Sequence, residues 1–343
     1  MKNTQNNGKI LKTFIPKIQR REIFTIILLA LELFVFSIVS NNFLTVSNLE
    51  SILRNSTDLA VVSIGMTMVM ILGGIDISIG SSLGVVSIIV GWMLQSEINP
   101  ILIGLTAIVI GMGIGYLNGF LITKTRIPPI IATLGTSNIL RALIFGMLGG
   151  SWLTGLPKIF TPFTRGYLAG IPIPIFIILI FYILFWLFLT YTPAGRYIYA
   201  VGNSAEASQL SGINSDRVKK LAFSLLGALV GFSSLIYVGR LASVEITVGN
   251  DLAMSSIAAV VLGGTSVLGG KGSVVGTLAG VLFMAVMKNG IVLLGIPSLW
   301  EKAVVGFLII VSVVIDILIS KRTEKTQREQ ISKNRTLAKI DSK

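Results

Sequence analysis

The sequence predicts an all-α polytopic integral membrane protein with about ten transmembrane helices and both termini in the cytoplasm. Of its 343 residues, 53% are hydrophobic and only 13% are charged, whereas soluble domains carry about 25% charged residues. The apolar residues lie in long runs, and runs of about 17–25 apolar residues match the thickness of a bilayer core. Basic residues cluster before the first run and after the last, as is typical of ends kept in the cytoplasm.

The chain therefore divides into a membrane domain between two basic tails. The tails are residues 1–21 and 321–343, and the membrane domain is residues 22–320. Its predicted spans, in order along the chain, are residues 22–40, 57–73, 78–96, 101–123, 129–149, 171–190, 219–239, 253–268, 273–295 and 298–320.

The charges of the internal loops agree with this topology. On the predicted cytoplasmic side, loop 124–128 carries Lys124 and Arg126, and loop 191–218 carries Arg196 and Arg217, with two lysines, 219 and 220, just beyond it. The predicted outer loops 97–100 and 240–252 together carry three acidic residues against the single Arg240. An excess of Lys and Arg on cytoplasmic loops is the expected asymmetry for a multi-pass protein of a bacterial-type plasma membrane.

Composition excludes several kinds of chemistry. The chain has neither cysteine nor histidine, which rules out disulfides, thiol catalysis and histidine metal ligands. We predict no catalytic residues and no metal site. The net charge of +13 lies largely in the two tails, so it indicates chain ends held in the cytoplasm and not contact with nucleic acid.

Residues 261–276, VLGGTSVLGGKGSVVG, look like a phosphate-binding loop but fail its pattern. That pattern, G-x-x-x-x-G-K-[ST], requires glycine at position 265 and a hydroxyl at position 272. The sequence has Thr265 and Gly272 there. We therefore expect no ATP or Mg²⁺ on this chain. The glycines instead permit a sharp re-entry between two closely packed spans; they are Gly263, Gly264, Gly269, Gly270 and Gly272.

A carboxylate between two apolar segments is the strongest single polar signal. Asp76 follows the pair Gly73 and Gly74 and precedes Ser78. The glycines allow a helix to break, and Asp76 with Ser78 can cap the helix that restarts. We favour a structural cap with consequences for gating. Two alternatives remain open: a stand-alone transporter that uses Asp76 as a proton or cation site, and a passive channel.

Other polar residues lie in or near apolar runs. Asn118, Asn138 and Asn289 can hydrogen-bond between helices, and together they can line a route for a polar, uncharged cargo. Arg141 and Lys288 are expected to snorkel toward the membrane surface.

Two loops are long enough to have a function. The outer loop 149–170 can form a short amphipathic element or a docking surface. In the inner loop 191–218, residues 204–210 are predicted to be helical, with Asn203 or Ser204 as N-cap and Gly212 as the stop. Asn214 or Ser215 is expected to cap the next span.

A short similarity between two segments of the chain suggests an internal repeat. LGGIDISIG at 72–80 and LGGTSVLGG at 262–270 share LGG followed six residues later by glycine. Glycine pairs at corresponding positions of two halves are typical of repeats whose broken helices line a pathway.

Several long stretches resemble the permeases of ribose-type ABC transporters. They include GMTMVMILGGIDISIGS, GRYIYAVGNSAEASQLSGI and IAAVVLGGTSVLGGKGSVVGTLAGV, and they follow family order from about residue 43 to 316. The resemblance implies a sugar-import permease paired with a second copy or a paralogue. It also implies a cytoplasmic ATPase that uses ATP and Mg²⁺, and an extracytoplasmic sugar-binding protein.

The resemblance gives the inner loop a role as the segment that couples to the ATPase. The residues it implies there are Asn203, Glu206, Ala207, Ser211 and Gly212. The outer segment GGSWLTGLPKIF is more similar to permeases for autoinducer-2 and related deoxy sugars. The cargo expected from resemblance is therefore ribose, a related monosaccharide or autoinducer-2.

Overall fold

A computed structural model describes residues 20–297 and 299–314. It consists of helices apart from one two-stranded hairpin, so the predicted all-α class is correct. The helices are α1 (Arg20–Val39), α2 (Val46–Ile71), α3 (Ile79–Gln95), α4 (Pro100–Thr125), α5 (Pro129–Leu148), α6 (Thr161–Arg165), α7 (Ile173–Tyr191), α8 (Pro193–Asn203), α9 (Ala205–Leu210), α10 (Ser215–Leu241), α11 (Leu252–Leu262), α12 (Val274–Leu293) and α13 (299–314). The strands are β1 (Tyr167–Leu168) and β2 (Ile171–Pro172), paired antiparallel.

Five helices of the described part are long and apolar enough to cross a membrane: α4, α5, α7, α10 and α12. Shorter apolar helices occur within α1, in α3 and in α11. The chain is thus a multi-pass membrane protein, while the count of ten spans stays a prediction. The two tails and the end of the last predicted span, residues 315–320, lie outside the described residues.

The core is built around α2 and α10. From Ser56 to Ile71 every residue of α2 is buried, which is typical of a helix surrounded by other helices. Helix α10 crosses α4 at a glycine contact. A side chain on Gly111 would meet the backbone of Gly227 and Gly231. Small residues let two membrane helices approach this closely.

Different loops and short helices lie at the two ends of the bundle. Gly119, near the end of α4, packs against the backbone of Lys220, near the start of α10. The basic turn after α4 therefore lies at the same end of the bundle as α8 and α9, which precede α10; this is called the α8–α9 end. At the opposite end, Leu153 pairs with Val244 in an isolated antiparallel bridge. The long loops 149–172 and 242–251 therefore meet there.

Two predicted spans have the wrong bounds. The span predicted at 57–73 begins as a helix at Val46, where Thr45 accepts a hydrogen bond from the Asn48 N–H as N-cap; its first turns are polar, so apolar runs did not reveal them. The span predicted at 253–268 ends as a helix at Leu262. Residues 263–273 are not helical, because the glycines there terminate the helix.

The inner loop is more helical than predicted. The helix expected at 204–210 is present as α9, capped by Ser204, whose hydroxyl accepts from the Ala207 N–H. An additional helix, α8, precedes it. Thr192 caps α8 and Pro193 occupies its first turn, where proline is well tolerated because that N–H has no helical partner.

Candidate functional site

The two glycine-containing breaks meet at the α8–α9 end. The Gly270 N–H donates to the Ile71 carbonyl at 2.8 Å, at the end of α2. Gly269 has φ +88° and Gly270 φ +74°, a region that favours glycine. The helix-re-entry glycines therefore allow residues 263–273 to fold back against the break at Leu72–Gly74.

Helix α8 holds this junction. The Tyr199 hydroxyl donates to the Gly272 carbonyl at 3.0 Å. The Asn203 side chain lies so close to Gly270 that a Cβ there would be 2.6 Å from its Oδ1 atom. Asn203, predicted as part of the coupling segment, is thus in direct contact with the turn that closes the re-entrant stretch. Helix α8 therefore contacts both helix breaks, since a Cβ on Gly202 would meet the Ile71 carbonyl.

The other residues predicted to couple to the ATPase form an exposed corner. Glu206, Ala207 and Ser211 are exposed on and just after α9. The chain turns at Gly212, with φ +83°, and Asn214 caps α10 by accepting from the Arg217 N–H at 2.9 Å. The Ser215 hydroxyl ties the start of α10 back to the Ala205 carbonyl at 3.1 Å. This corner is therefore rigidly attached to the long helix α10 and open to a partner.

Asp76 lies in a buried cluster in which both of its carboxylate oxygens accept hydrogen bonds. Its Oδ1 atom accepts from the Ser78 N–H at 2.8 Å and from the Ser78 hydroxyl at 2.6 Å. Its Oδ2 atom accepts from the Asn118 amide at 3.2 Å. Ser78 is the N-cap residue of α3, but its side chain makes no capping bond. The carboxylate, not the hydroxyl, therefore organises the start of α3.

The same cluster joins three helices. The hydroxyl oxygen of Thr133, on α5, accepts from the Ile77 N–H at 3.1 Å and also lies 3.1 Å from the Ile75 carbonyl oxygen. The break after Gly73 and Gly74 is thus tied to α4 through Asn118 and to α5 through Thr133. The Asp76 carboxylate is engaged within the chain, which fits a structural cap better than an open ion site.

A polar cavity of about 460 Å³ lies at the opposite end, between α2, α10, α12 and the loop before α11. Its lining combines hydrogen-bonding side chains with the ring of Tyr237. The polar side chains that line it include those of Asn55, Asp58, Arg240, Asn250, Lys288 and Asn289.

An ion pair joins two of the helices that line this cavity. Arg240 of α10 lies 2.8 Å from Asp58 of α2, with 18% and 12% of the side chains exposed. The Arg240 guanidinium also donates to the Asn55 side-chain oxygen at 3.1 Å. Sequence analysis did not single out Asp58 or Asn55. The sequence did offer a signal for Asp58, because its carboxylate is the second residue of the predicted apolar span 57–73.

Of the predicted pathway residues, Asn289 reaches this cavity. Its amide exchanges two hydrogen bonds with that of Asn48, at 2.9 and 2.8 Å, so α12 is fixed to the start of α2. Its neighbour Lys288 pairs with Glu301 at 2.8 Å. A carboxylate of α13 therefore engages this lysine, and the expectation that Lys288 snorkels stays a prediction.

Arg141 also has partners within the chain. Its guanidinium donates to the carbonyls of Ile246 and Val248 at 3.2 and 2.9 Å. This arginine of α5 therefore pins the loop before α11 into the bundle. Asn138, one turn away, is exposed on α5 and is not part of either polar site.

Apart from Asn138, the predicted site residues thus lie in three places: the glycine junction with the α9 corner, the buried Asp76 cluster, and the cavity wall at Asn289. In the part of the chain that the structure describes, no group of three or more acidic residues is arranged to hold a metal ion.

Comparison with known proteins identifies a transporter family. Residues 48–313 match the family described as branched-chain amino acid transport system / permease component. No solved structure matches the chain.

Individual relatives cover nearly the full chain. The ribose import permease protein of Bacillus subtilis is 39% identical over 82% of this chain and 88% of its own length. That of Haemophilus influenzae is 37% identical over 92% of this chain and 97% of its own length. The autoinducer 2 import system permease protein of Yersinia enterocolitica is 32% identical over 91% of this chain and 87% of its own length.

In such importers the permease is not an enzyme, and ATP is hydrolysed by a separate subunit. The near-P-loop at 261–276 is accordingly a structural turn of the permease. By the extent of the family match and the identity to full-length relatives, this chain belongs to the ribose-type permeases of ABC importers.

Proposed function

We propose that this chain forms the membrane pathway of a sugar importer, with ribose or a closely related monosaccharide as its cargo. The observation that carries the proposal is the polar cavity of about 460 Å³ at the end opposite α8 and α9. Amide, carboxylate and guanidinium groups beside an aromatic ring are suited to bind the hydroxyls and the apolar face of a sugar.

Two sequence features support different cargoes. The outer segment GGSWLTGLPKIF is similar to autoinducer-2 permeases, whereas overall identity is higher to the ribose permeases, 39% against 32%. We give ribose priority because overall identity reflects the whole pathway and the segment only one loop. Autoinducer-2 is the second cargo to test.

The proposed orientation places the α8–α9 end in the cytoplasm of a bacterial-type plasma membrane. The cavity then opens outward, where an extracytoplasmic binding protein would deliver sugar onto loops 149–170 and 242–251. The cytoplasmic ATPase, using ATP and Mg²⁺, would dock at the corner containing Glu206 and Ala207. A second permease chain, a copy or a paralogue, would complete the pathway.

Coupling would proceed from this corner to the helix breaks. The ATPase moves α9, and with it α8, whose Asn203 touches Gly270. The junction between residues 263–273 and the end of α2 then rearranges, while the Asp76 cluster holds the start of α3. Nucleotide drives this only insofar as the ATPase binds the two permease states with different affinity.

ATP-dependent uptake in proteoliposomes tests the proposal. The permease is reconstituted with candidate ATPase and binding-protein partners, and uptake of labelled ribose and of autoinducer-2 is measured with and without ATP. We expect ATP-dependent uptake, faster for ribose. Glu206→Lys should reduce it tenfold or more, because about 1.4 kcal/mol of lost docking energy already corresponds to a factor of ten.

A matched exposed position provides the control. Asp216→Lys reverses another exposed acidic residue near the same corner, and it should retain most of the uptake. Uptake that needs no ATPase, and that Glu206→Lys leaves unchanged, would refute the proposal and favour a carrier that works alone.

A further inference from the structure

The loop before α11 carries a carboxylate that has no counter-charge among the described residues. This carboxylate belongs to Glu245, which lines the polar cavity of about 460 Å³. The other charged groups of the lining occur in ion pairs, which are Asp58–Arg240, Asp251–Lys302 and Lys288–Glu301. Because the charges of these pairs cancel, the lining keeps the single negative charge of Glu245.

The hydrogen bonds of this carboxylate are also incomplete. Its Oε2 atom accepts from the Thr247 hydroxyl at 2.9 Å, and the described residues donate no hydrogen bond to its Oε1 atom. An ionised carboxylate has about four acceptor sites and no donor. Most of these sites are therefore open to a ligand that brings hydrogen-bond donors.

The backbone that carries Glu245 is fixed on both sides of it. On one side, Val244 forms two hydrogen bonds with Leu153, at 3.0 and 2.8 Å. On the other side, Arg141 donates to the Val248 carbonyl at 2.9 Å, and the Val248 N–H closes a turn onto the Glu245 carbonyl at 3.1 Å. A polar group held in place before binding loses little entropy on binding, so it can discriminate between ligands.

The rest of the cavity favours hydroxyls over a cation as the donors. The same turn adds the Thr247 hydroxyl and the Asn250 amide to the lining, and α10 adds the ring of Tyr237. Amides and hydroxyls both donate and accept, which suits a ligand whose own groups do both. Two hydroxyls on adjacent carbons can donate side by side to one carboxylate, and hydrogen bonds to an ionised acceptor are roughly twice as strong as neutral ones.

We propose that Glu245 selects the cargo by accepting hydrogen bonds from two adjacent hydroxyls of a sugar. The pathway then prefers a sugar with such a pair over an analogue in which hydrogen replaces one of the two hydroxyls. This inference rests on the proposed function, because it takes the cavity to be where the sugar enters the chain. It adds a residue that sets specificity within the permease itself, apart from any selection by a binding protein.

Binding of sugars to the purified full-length chain tests the proposal without partners. Saturation-transfer NMR on the chain in nanodiscs detects weak ligands, and the ligands compared are ribose, 2-deoxyribose and 3-deoxyribose. Every adjacent pair of ring hydroxyls in ribose includes carbon 2 or carbon 3, so at least one analogue lacks the recognised pair. We expect ribose to bind that analogue's site about tenfold more tightly, the factor that corresponds to one hydrogen bond to a charged group. Glu245→Gln should lower ribose binding to the level of the analogue.

Glu97→Gln is the matched control. Glu97 is exposed in the short turn between α3 and α4 and lies outside the cavity lining, so this variant should keep the preference for ribose. A preference that survives Glu245→Gln would refute the proposal. Equal binding of ribose and both analogues by the wild type, or no binding of ribose, would refute it as well.

Two further measurements separate the remaining explanations. Tighter binding of glucosamine than of glucose, lost in Glu245→Gln, would assign the carboxylate to an ammonium group and overturn the proposal. ATP-dependent uptake is measured separately in proteoliposomes. A chain that imports ribose without preferring it over the deoxy analogues would therefore refute this inference and leave the proposed function intact.

Discussion

At the scale of single residues, the caps were predictable and the long-range partners were not. Ser204 and Asn214 act within three residues of themselves, so local sequence identifies them as caps. Asp58 pairs with a guanidinium 182 residues away, and nothing near position 58 indicates that partner. Asp76 is intermediate: its capping of the Ser78 N–H was readable, whereas its bond to Asn118 required the fold.

The pair of Asp58 and Arg240 makes a testable prediction because it joins α2 and α10 beside the cavity. Asp58→Asn keeps the size of the side chain but leaves the guanidinium without its counter-charge. A hydrogen bond to a charged group contributes about 1.5–3 kcal/mol. If the two helices separate or close during transport, we expect uptake of sugar to fall by about tenfold or more.

The exposed pair of Asp251 and Lys302 is the control for this variant. Its atoms lie 3.1 Å apart, but 49% and 60% of the side chains are exposed, and such surface pairs contribute only about 0–1 kcal/mol. Lys302→Gln should therefore leave uptake nearly unchanged. Equal uptake by Asp58→Asn and wild type would mean that the cavity wall is not part of the pathway.

At the scale of elements, apolar runs predicted where the long apolar helices lie but not where they end. The first turns of α2 are polar, so no apolar run indicates that the helix begins there. Helix α8 begins with Pro193 and contains Gly195, two residues that ordinarily indicate a loop. They are tolerated here because the proline lies in the first turn and the glycine packs against the backbone of Leu189.

The crossing of α4 and α10 depends on which glycines face it. Gly111 packs against the backbone of Gly227 and Gly231, whereas Gly113 has nothing within 4 Å. Gly111→Leu should force the helices apart and cost about 1–3 kcal/mol or more, as overpacking does. Gly113→Leu should be neutral or stabilising, since leucine exceeds glycine in helix propensity by up to about 1 kcal/mol.

Thermal unfolding of the detergent-solubilised protein measures this difference. We expect a lower midpoint for Gly111→Leu, and a midpoint at or above that of wild type for Gly113→Leu. Similar decreases in both variants would show that membrane-helix glycines matter here for flexibility and not for the crossing.

At the scale of the whole molecule, the distribution of charge predicted which loops share a side of the membrane, and in the helix bundle those loops lie at the same end. The basic turn containing Lys124 and Arg126 lies at the same end as α8, α9 and the start of α10. The loops 149–172 and 242–251 gather at the other end. These segments are far apart in sequence, so their grouping supports a single membrane orientation. The polar cavity and the corner at Glu206 lie at opposite ends of the bundle.

That orientation is tested with single cysteines in the otherwise cysteine-free chain. Leu210, 87% exposed at the end of α9, and Leu168, 58% exposed in the hairpin, are replaced singly by cysteine. Positive charge holds loops in the cytoplasm, so an impermeant maleimide added to intact cells should label the cysteine at 168 and spare the one at 210. Disrupting the membrane should make both react, which controls for burial. The reverse pattern would place the cavity on the cytoplasmic side, and import from the binding-protein side through that cavity would be refuted.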